Sequence, residues 1–215
     1  MKKTTMFVFM IVFCGASLRA EEPRINRWRG TSSPAAVPAQ EAPAALQKIF
    51  SNLGTSTDAY NDTIGWPANG PLSGFGQDFV GLPFTPTANA HVYVVRAAIQ
   101  YQSSGANQVN LNLYSDVNGA PGTVLAGPVT VKNLPTFGTC CTLAEATFTA
   151  GAAVTAGTQY WVVANTPTTG TGSDFEGVWD FIATTYLNSF DTGSGWNSFK
   201  EDAYEPAGAV YGTIP

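Results

Sequence analysis

Histidine is nearly missing from this 215-residue chain: His91 is the only one. That removes the usual base for a Ser-His-Asp nucleophile and leaves no histidine cluster for zinc or iron. At the start of an expected strand, a lone histidine reads as an edge residue. Positive charge is scarce too. Ten basic residues face fifteen acidic ones, and beyond Ser51 only Arg96, Lys132 and Lys200 are basic. A phosphate-binding surface needs clustered Lys and Arg to displace counterions, so the composition argues against nucleic acid and against anionic membrane as partners. No amphipathic helical pattern of useful length occurs, which argues against an α/β fold with crossover helices. Apart from the first residues there is no long apolar run to span a membrane.

That first stretch is a separate object. Lys2 and Lys3 precede an apolar run from Met6 to Phe13, followed by small residues Gly15, Ala16 and Ser17. This is the layout of a secretory signal peptide, too short to cross a bilayer as an anchor. We place it at residues 1–20, with cleavage after Ala16 or Ser17 as the alternatives, and Cys14 falls inside it. Removing it leaves seven basic against fifteen acidic residues, a net of −8. Residues 21–45 hold Pro23, Pro34, Pro38 and Pro43, much alanine and little bulky apolar material. Such a segment buries too little surface to offset ordering entropy, so it reads as a flexible linker. Arg24, Arg27 and Arg29 around Trp28 would be an adhesive patch on the sharper reading. The C-terminus, from Ala207 to Pro215, has neither a hydrophobic tail nor a charged stop. The expectation is an exported chain, released or held by a partner.

From residue 46 the pattern changes to short apolar runs among Gly, Thr, Ser and Asn. Tyr93, Val95, Ala97, Ile99 and Tyr101 alternate, as do Val109, Leu111 and Leu113, and a period of two marks a strand with one buried side. Asp116-Val117-Asn118-Gly119 and Pro121-Gly122 are turn residues, with a returning strand over 123–130. Tyr160 to Ala164 is apolar on both faces, as a central strand requires. Phe175, Val178, Trp179 and Phe181 predict another strand, Val210 and Tyr211 the last, and Leu46 to Phe50 either a strand or a short helix. Eight to ten short strands with turns every ~8–12 residues specify a single all-β domain over 46–215, a jelly-roll-like antiparallel sandwich.

Several segments, in order, resemble a known group. They are Ile49-Phe50-Ser51-Asn52-Leu53-Gly54, Gly65-Trp66, Pro83-Phe84-Thr85-Pro86, Leu113 to Asp116 with Gly119 to Thr123, Leu134 to Gly138, and Ala156 to Val163. Together they resemble the bacterial choice-of-anchor R domains over roughly 47–213, nearly all of the expected domain. The resemblance implies an extracellular β-sandwich domain of a group that carries various C-terminal sorting signals. It supplies no catalytic residues.

The candidate chemistry follows from the remaining residue types. Tyr60, Trp66, Trp196 and Tyr204 stand in Gly- and Asn-rich, loop-like stretches, and flat aromatic faces beside polar groups suit sugar rings. Trp161 and Trp179 read as core. Paired carboxylates could serve acid–base hydrolysis, and Asp174, Glu176, Asp180, Asp191, Glu201, Asp202 and Glu205 cluster late in the chain. The plainer reading is a solvated acidic face. Asp116 and Asn118 are spaced like the opening of a calcium loop without its downstream Glu, and a turn accounts for them equally. Asp58, Asn61 and Asp62 form a second oxygen-rich stretch. No other cofactor is implied, and the oligomeric state is not encoded in any pattern here. Three functional readings result: a non-enzymatic module for adhesion, recognition or surface architecture; a glycan-binding domain; and a hydrolase using the late acids.

Cys140 and Cys141 are the only cysteines left after export. Adjacent Cα atoms ~3.8 Å apart sit closer than the ~4.4–6.8 Å that disulfides prefer, yet an oxidising compartment favours an intrachain bridge over a thiol pair for metal or bonds between chains. Thiol titration of the denatured native protein is therefore expected to find no free cysteine, with two appearing after reduction. Free thiol before reduction contradicts the bridge.

Overall fold

The short apolar runs fold as strands throughout. The computed structural model describes residues 46–54, 60–182, 186–201 and 204–215, so the expected leader and linker lie outside the described residues. In chain order the strands are β1 (Gln47–Ser51), β2 (Asn61–Asn69), β3 (Phe79–Phe84), β4 (Ala90–Ala97), β5 (Ile99–Tyr101), β6 (Gln108–Val117), β7 (Ala120–Lys132), β8 (Ala144–Val154), β9 (Tyr160–Asn165), β10 (Glu176–Ile182), β11 (Tyr186–Asp191), β12 (Trp196–Glu201), β13 (Glu205–Pro206) and β14 (Gly208–Thr213). No helix occurs among the described residues.

Three antiparallel sheets result. The first runs β1-β14-β4-β8, the second β12-β11-β3-β9-β6-β7, and the third β13-β10-β2 with β5 also on β10. Eight of these strands suffice for the sandwich. Renumbering β1, β3, β4, β6, β7, β8, β9 and β14 as 1–8 makes the two large sheets read 1-8-3-6 and 2-7-4-5. That is the order of a jelly roll, two Greek keys folded face to face. The extra strands β10 to β13 are inserted between the seventh and eighth. β11 and β12 extend the second sheet past β3, while β10 and β13 join β2 and β5 in the third.

The core lies between the two large sheets. Val92, Val95, Ala97, Ala146 and Val210 of the first face Val80, Leu82, Phe84, Leu111, Leu113 and Val162 of the second, all within one buried cluster. β9 is paired on both sides, to β3 and β6, and Tyr160 to Ala164 are all buried, as its two-sided apolar pattern requires. Trp161 and Trp179 are fully buried. The 116–119 turn is a two-residue hairpin: Val117 pairs with Ala120 across Asn118 (φ 55°) and Gly119 (φ 81°). Two consecutive positive φ values give the primed turn whose twist matches the strands.

Two local expectations are corrected. Tyr93 was expected on the buried face with Val95, but it is half-exposed and lies against His91. The ladder with β8 slips between Val92 and Val94, and a bulge moves the buried face from Ala90 and Val92 to Val95 and Ala97. The long strand expected through Tyr101 breaks at Ala98, where the chain leaves the first sheet and enters the third as β5. The N-terminal ambiguity resolves as strand β1.

Leu111 sits at the centre of this core, fully buried between β7 and β9. Leu111→Ala is expected to cost roughly 2–5 kcal/mol, seen as a lowered urea midpoint with an unchanged m-value. A loss below about 1 kcal/mol would place Leu111 outside a close-packed core.

Candidate functional site

The inserted strands raise an aromatic surface that the jelly roll itself does not need. β2 pairs with β10 so that Trp66 stands opposite the buried Trp179, whose Nε1 donates to the Ala207 carbonyl at 2.8 Å. Trp66 is half-buried and meets Phe181, Phe190 and Phe199 edge-on, at 5.3, 4.8 and 6.2 Å between ring centres. Phe190 and Phe199 stack diagonally across the β11–β12 hairpin at 5.5 Å. Tyr204 stacks on Phe181 at 4.8 Å, and its carbonyl accepts the Trp66 Nε1–H at 3.4 Å. Edge-to-face and offset contacts of this kind hold ring orientation as well as burying area.

Trp196 opens β12 opposite Asp191, with Tyr114 approaching its ring edge-on at 6.5 Å. Trp66 and Trp196 line one open groove of about 610 Å³, together with Phe190, Phe199 and the polar residues Asp78 and Asn197. The turn that presents Trp196 is fixed by Asp191. Its Oδ1 accepts the Gly193 and Gly195 amides at 2.8 and 3.0 Å, and both glycines have φ near +100°. The Gln77 amide donates to the Asp191 carbonyl at 3.2 Å, tying this turn to the segment before β3. Asp78 accepts from Asn69 Nδ2 at 3.3 Å, and partial burial pushes its carboxyl above the usual range.

Of the four aromatics expected to bind, Trp66 and Trp196 meet in the groove and Tyr204 adjoins it behind Trp66. Tyr60 does not belong there. It is buried, and its hydroxyl donates to the Thr142 carbonyl at 3.2 Å. Desolvation raises that hydroxyl above the ordinary tyrosine value. The groove also depends on Phe190, Phe199 and Asp78, which the sequence reading missed. Their signal was available: 186–191 and 196–201 flank the turn-rich Thr192-Gly193-Ser194-Gly195, which is a hairpin pattern.

The described late acids have separate surroundings. Asp174 accepts from the Ala106 amide at 3.1 Å. Glu176 accepts from the Gly74 amide and the Ser103 hydroxyl, and these bonds hold its carboxyl below the usual range. Asp191 caps its turn. Asp180 and Glu205 are buried, and burial pushes their carboxyls up to about 8 and about 7. Asp62's negative charge adds to the rise at Asp180, while Asn52 opposes it at Glu205. Asp202 lies outside the described residues, as does the side chain of Glu201.

The Asp116–Asn118 calcium loop is replaced by a turn. Asp116 Oδ1 accepts from Gln159 Nε2 and Trp161 Nε1 at 2.6 and 2.8 Å, and Oδ2 accepts the Gly119 amide at 3.0 Å. Three N–H donors already bond the carboxylate, and Asn118 supplies the positive φ. Cys140 and Cys141, exposed between β7 and β8, are bonded to each other. No group of three or more metal-binding side chains occurs among the described residues, nor is any helix there long and apolar enough to cross a membrane. Compared with known proteins, the chain matches no family model, no curated protein and no solved structure.

Glu205 makes stability depend on pH. Its folded carboxyl titrates near 7, above the unfolded value of about 4.5, so the folded state binds the proton more tightly. Its contribution is complete below about pH 4.5 and is lost as pH rises through 7. Glu205→Gln is expected to match the wild-type Tm at pH 4 and to exceed it at pH 8. A parallel offset at both pH values in thermal melts would show that the carboxyl titrates normally.

Proposed function

We propose that this chain is an exported, non-catalytic binding module whose aromatic groove takes a carbohydrate. The observation that carries the reading is the meeting of Trp66 and Trp196, far apart in sequence, along one open groove. Sugar rings offer C–H faces to aromatic surfaces and hydroxyls to polar neighbours, and the residues lining the groove include both kinds of partner, aromatic rings together with Asp78 and Asn197. No lysine or arginine is among the described residues that line it, and Asp78 would repel an anionic ligand, so a neutral glycan fits better than a uronate or sulfated one. The inserted β10–β13 segment, additional to the eight-strand jelly-roll order, is accounted for if it exists to build this surface.

Export rests on the N-terminal sequence, with its two lysines, apolar run and small residues. The resemblance to choice-of-anchor R domains supports the same setting, an extracellular β-sandwich used for adhesion, recognition or surface architecture. The hydrolase reading gains nothing from the described late acids: Asp191 caps a turn, Asp174 and Glu176 brace loops, and Asp180 and Glu205 lie buried.

A panel of immobilised neutral and acidic polysaccharides, followed by calorimetry on any hit, tests the proposal. Wild-type protein is expected to retain a neutral glycan. Trp196→Ala is expected to weaken binding at least ten-fold, about 1.4 kcal/mol, without lowering Tm, because Trp196 stands at the hairpin end and outside the core cluster. Failure of the wild type to bind any neutral glycan, or full affinity in Trp196→Ala, would sink the carbohydrate reading.

A further inference from the structure

Away from the groove, Asp180 is 0% exposed, and neither of its carboxylate oxygens has a hydrogen-bond partner among the described residues. Its backbone is fully used: the amide donates to the Ala98 carbonyl at 2.9 Å and the carbonyl accepts the Ala207 amide at 2.8 Å. Only the side chain is left unsatisfied. A buried carboxyl without donors is costly, and in a native fold each such orphan calls for an unseen water or ion, or for loss of its charge.

The opposite strand supplies a second acid at the same place. β10 and β2 run in register until Asp180 meets Gly65. The next pair is Phe181 with Asn61, so residues 62–64 bulge out of the ladder. Gly65 lets the strands close here, since a Cβ at that position would collide with Val178 Cγ1. Asp62 stands in the bulge, half-buried, and its charge acts on both Asp180 and the Tyr60 hydroxyl. Tyr60 leads into the bulge from the other end, its hydroxyl proton directed at the Thr142 carbonyl while its oxygen also takes a hydrogen bond from the Gln100 side chain. The Asp62 and Asp180 carboxylates and the Tyr60 phenol thus lie near enough for their charges to act on one another, with no basic side chain bonded to either acid among the described residues.

The geometry points to a divalent-cation site held by the Asp180 and Asp62 carboxylates, with the Tyr60 oxygen at its edge, and the all-oxygen donor set assigns it to calcium. No imidazole or thiolate is present to favour zinc or copper. A β-bulge offers irregular geometry, which calcium accepts and magnesium does not. A bound ion would satisfy both orphan oxygens and reverse the repulsion between the two acids. With only two carboxylates the affinity should be modest, Kd about 10⁻⁴–10⁻³ M, in the range of extracellular modules.

The test uses the full mature chain at pH 7.5, first stripped with chelator. Adding 10 mM calcium chloride is expected to raise Tm by roughly 3–10 °C in a saturable way, and equilibrium dialysis with calcium alone should find one ion per chain. Asp62→Asn is expected to lose most of the shift, and Asp180→Asn all of it. Asp62 is only half-buried, so its variant reports on the site even if Asp180→Asn folds poorly. A Tm that calcium leaves unmoved overturns the assignment in favour of a neutral, protonated Asp180 or a buried water. A shift reproduced by sodium chloride at equal ionic strength overturns it also, as does a shift that Asp62→Asn retains in full.

Discussion

Two backbone hydrogen bonds to Asp180 fasten the third sheet to the jelly roll. The Asp180 amide reaches the Ala98 carbonyl and its carbonyl takes the Ala207 amide. Ala98 and Ala207 are the points where β4 passes into β5 and β13 into β14, where the chain crosses between sheets. Trp179 reinforces the junction from the neighbouring position, with a fully buried ring and Nε1 bonded to the Ala207 carbonyl. The third sheet hangs from this node. β10 is set by it, β2 pairs along β10, and Trp66 takes its orientation from that pairing.

The aromatic surface is then a consequence of where the insertion must go. β11 pairs with the edge of β3, and the β11–β12 hairpin brings Phe190 and Phe199 against Trp66 of β2. Phe199 and Tyr204 stay 36% and 37% exposed. Burying one half of each ring fixes its position, and exposing the other leaves a preorganised surface whose ordering has been offset by folding. This is the physical basis for reading the groove as a binding site and not as an incomplete core.

Electrostatics in this fold are sparse. Arg96 with Glu145, at 2.7 Å, is the one ion pair among the described residues, and Arg96 also lies 4.9 Å from the centre of the Tyr211 ring. With so few basic side chains, acids are satisfied by amide donors where donors exist: Asp116, Asp191 and Glu176 each collect them. The Asp180 carboxylate has no hydrogen-bond partner among the described residues, Glu205 has only the counterweight of the Asn52 side chain, and burial raises both carboxyls. The acidic composition thus becomes a small number of buried, proton-hungry groups and not a uniformly solvated face.

The sandwich was legible because it rests on local rules. Alternation at Val109, Leu111 and Leu113, two-sided apolarity at Tyr160 to Ala164 and the Asn118-Gly119 turn each constrain a few neighbouring residues, and burial enforces them. The break at Ala98 and the slip at Tyr93 were not legible, because a bulge costs one residue and leaves the composition unchanged. The site divides in the same way. Residue type marked Trp66 and Trp196 as unusual for loops, but it marked Tyr60 equally, and only packing sent one tyrosine under the Thr142 carbonyl and two tryptophans to one groove. Likewise, sequence counted the carboxylates, while tertiary structure decided which of them find donors. Strand propensity and turn chemistry act over a handful of bonds; the partners of a side chain are chosen by strands a hundred residues away, so no local pattern can announce them.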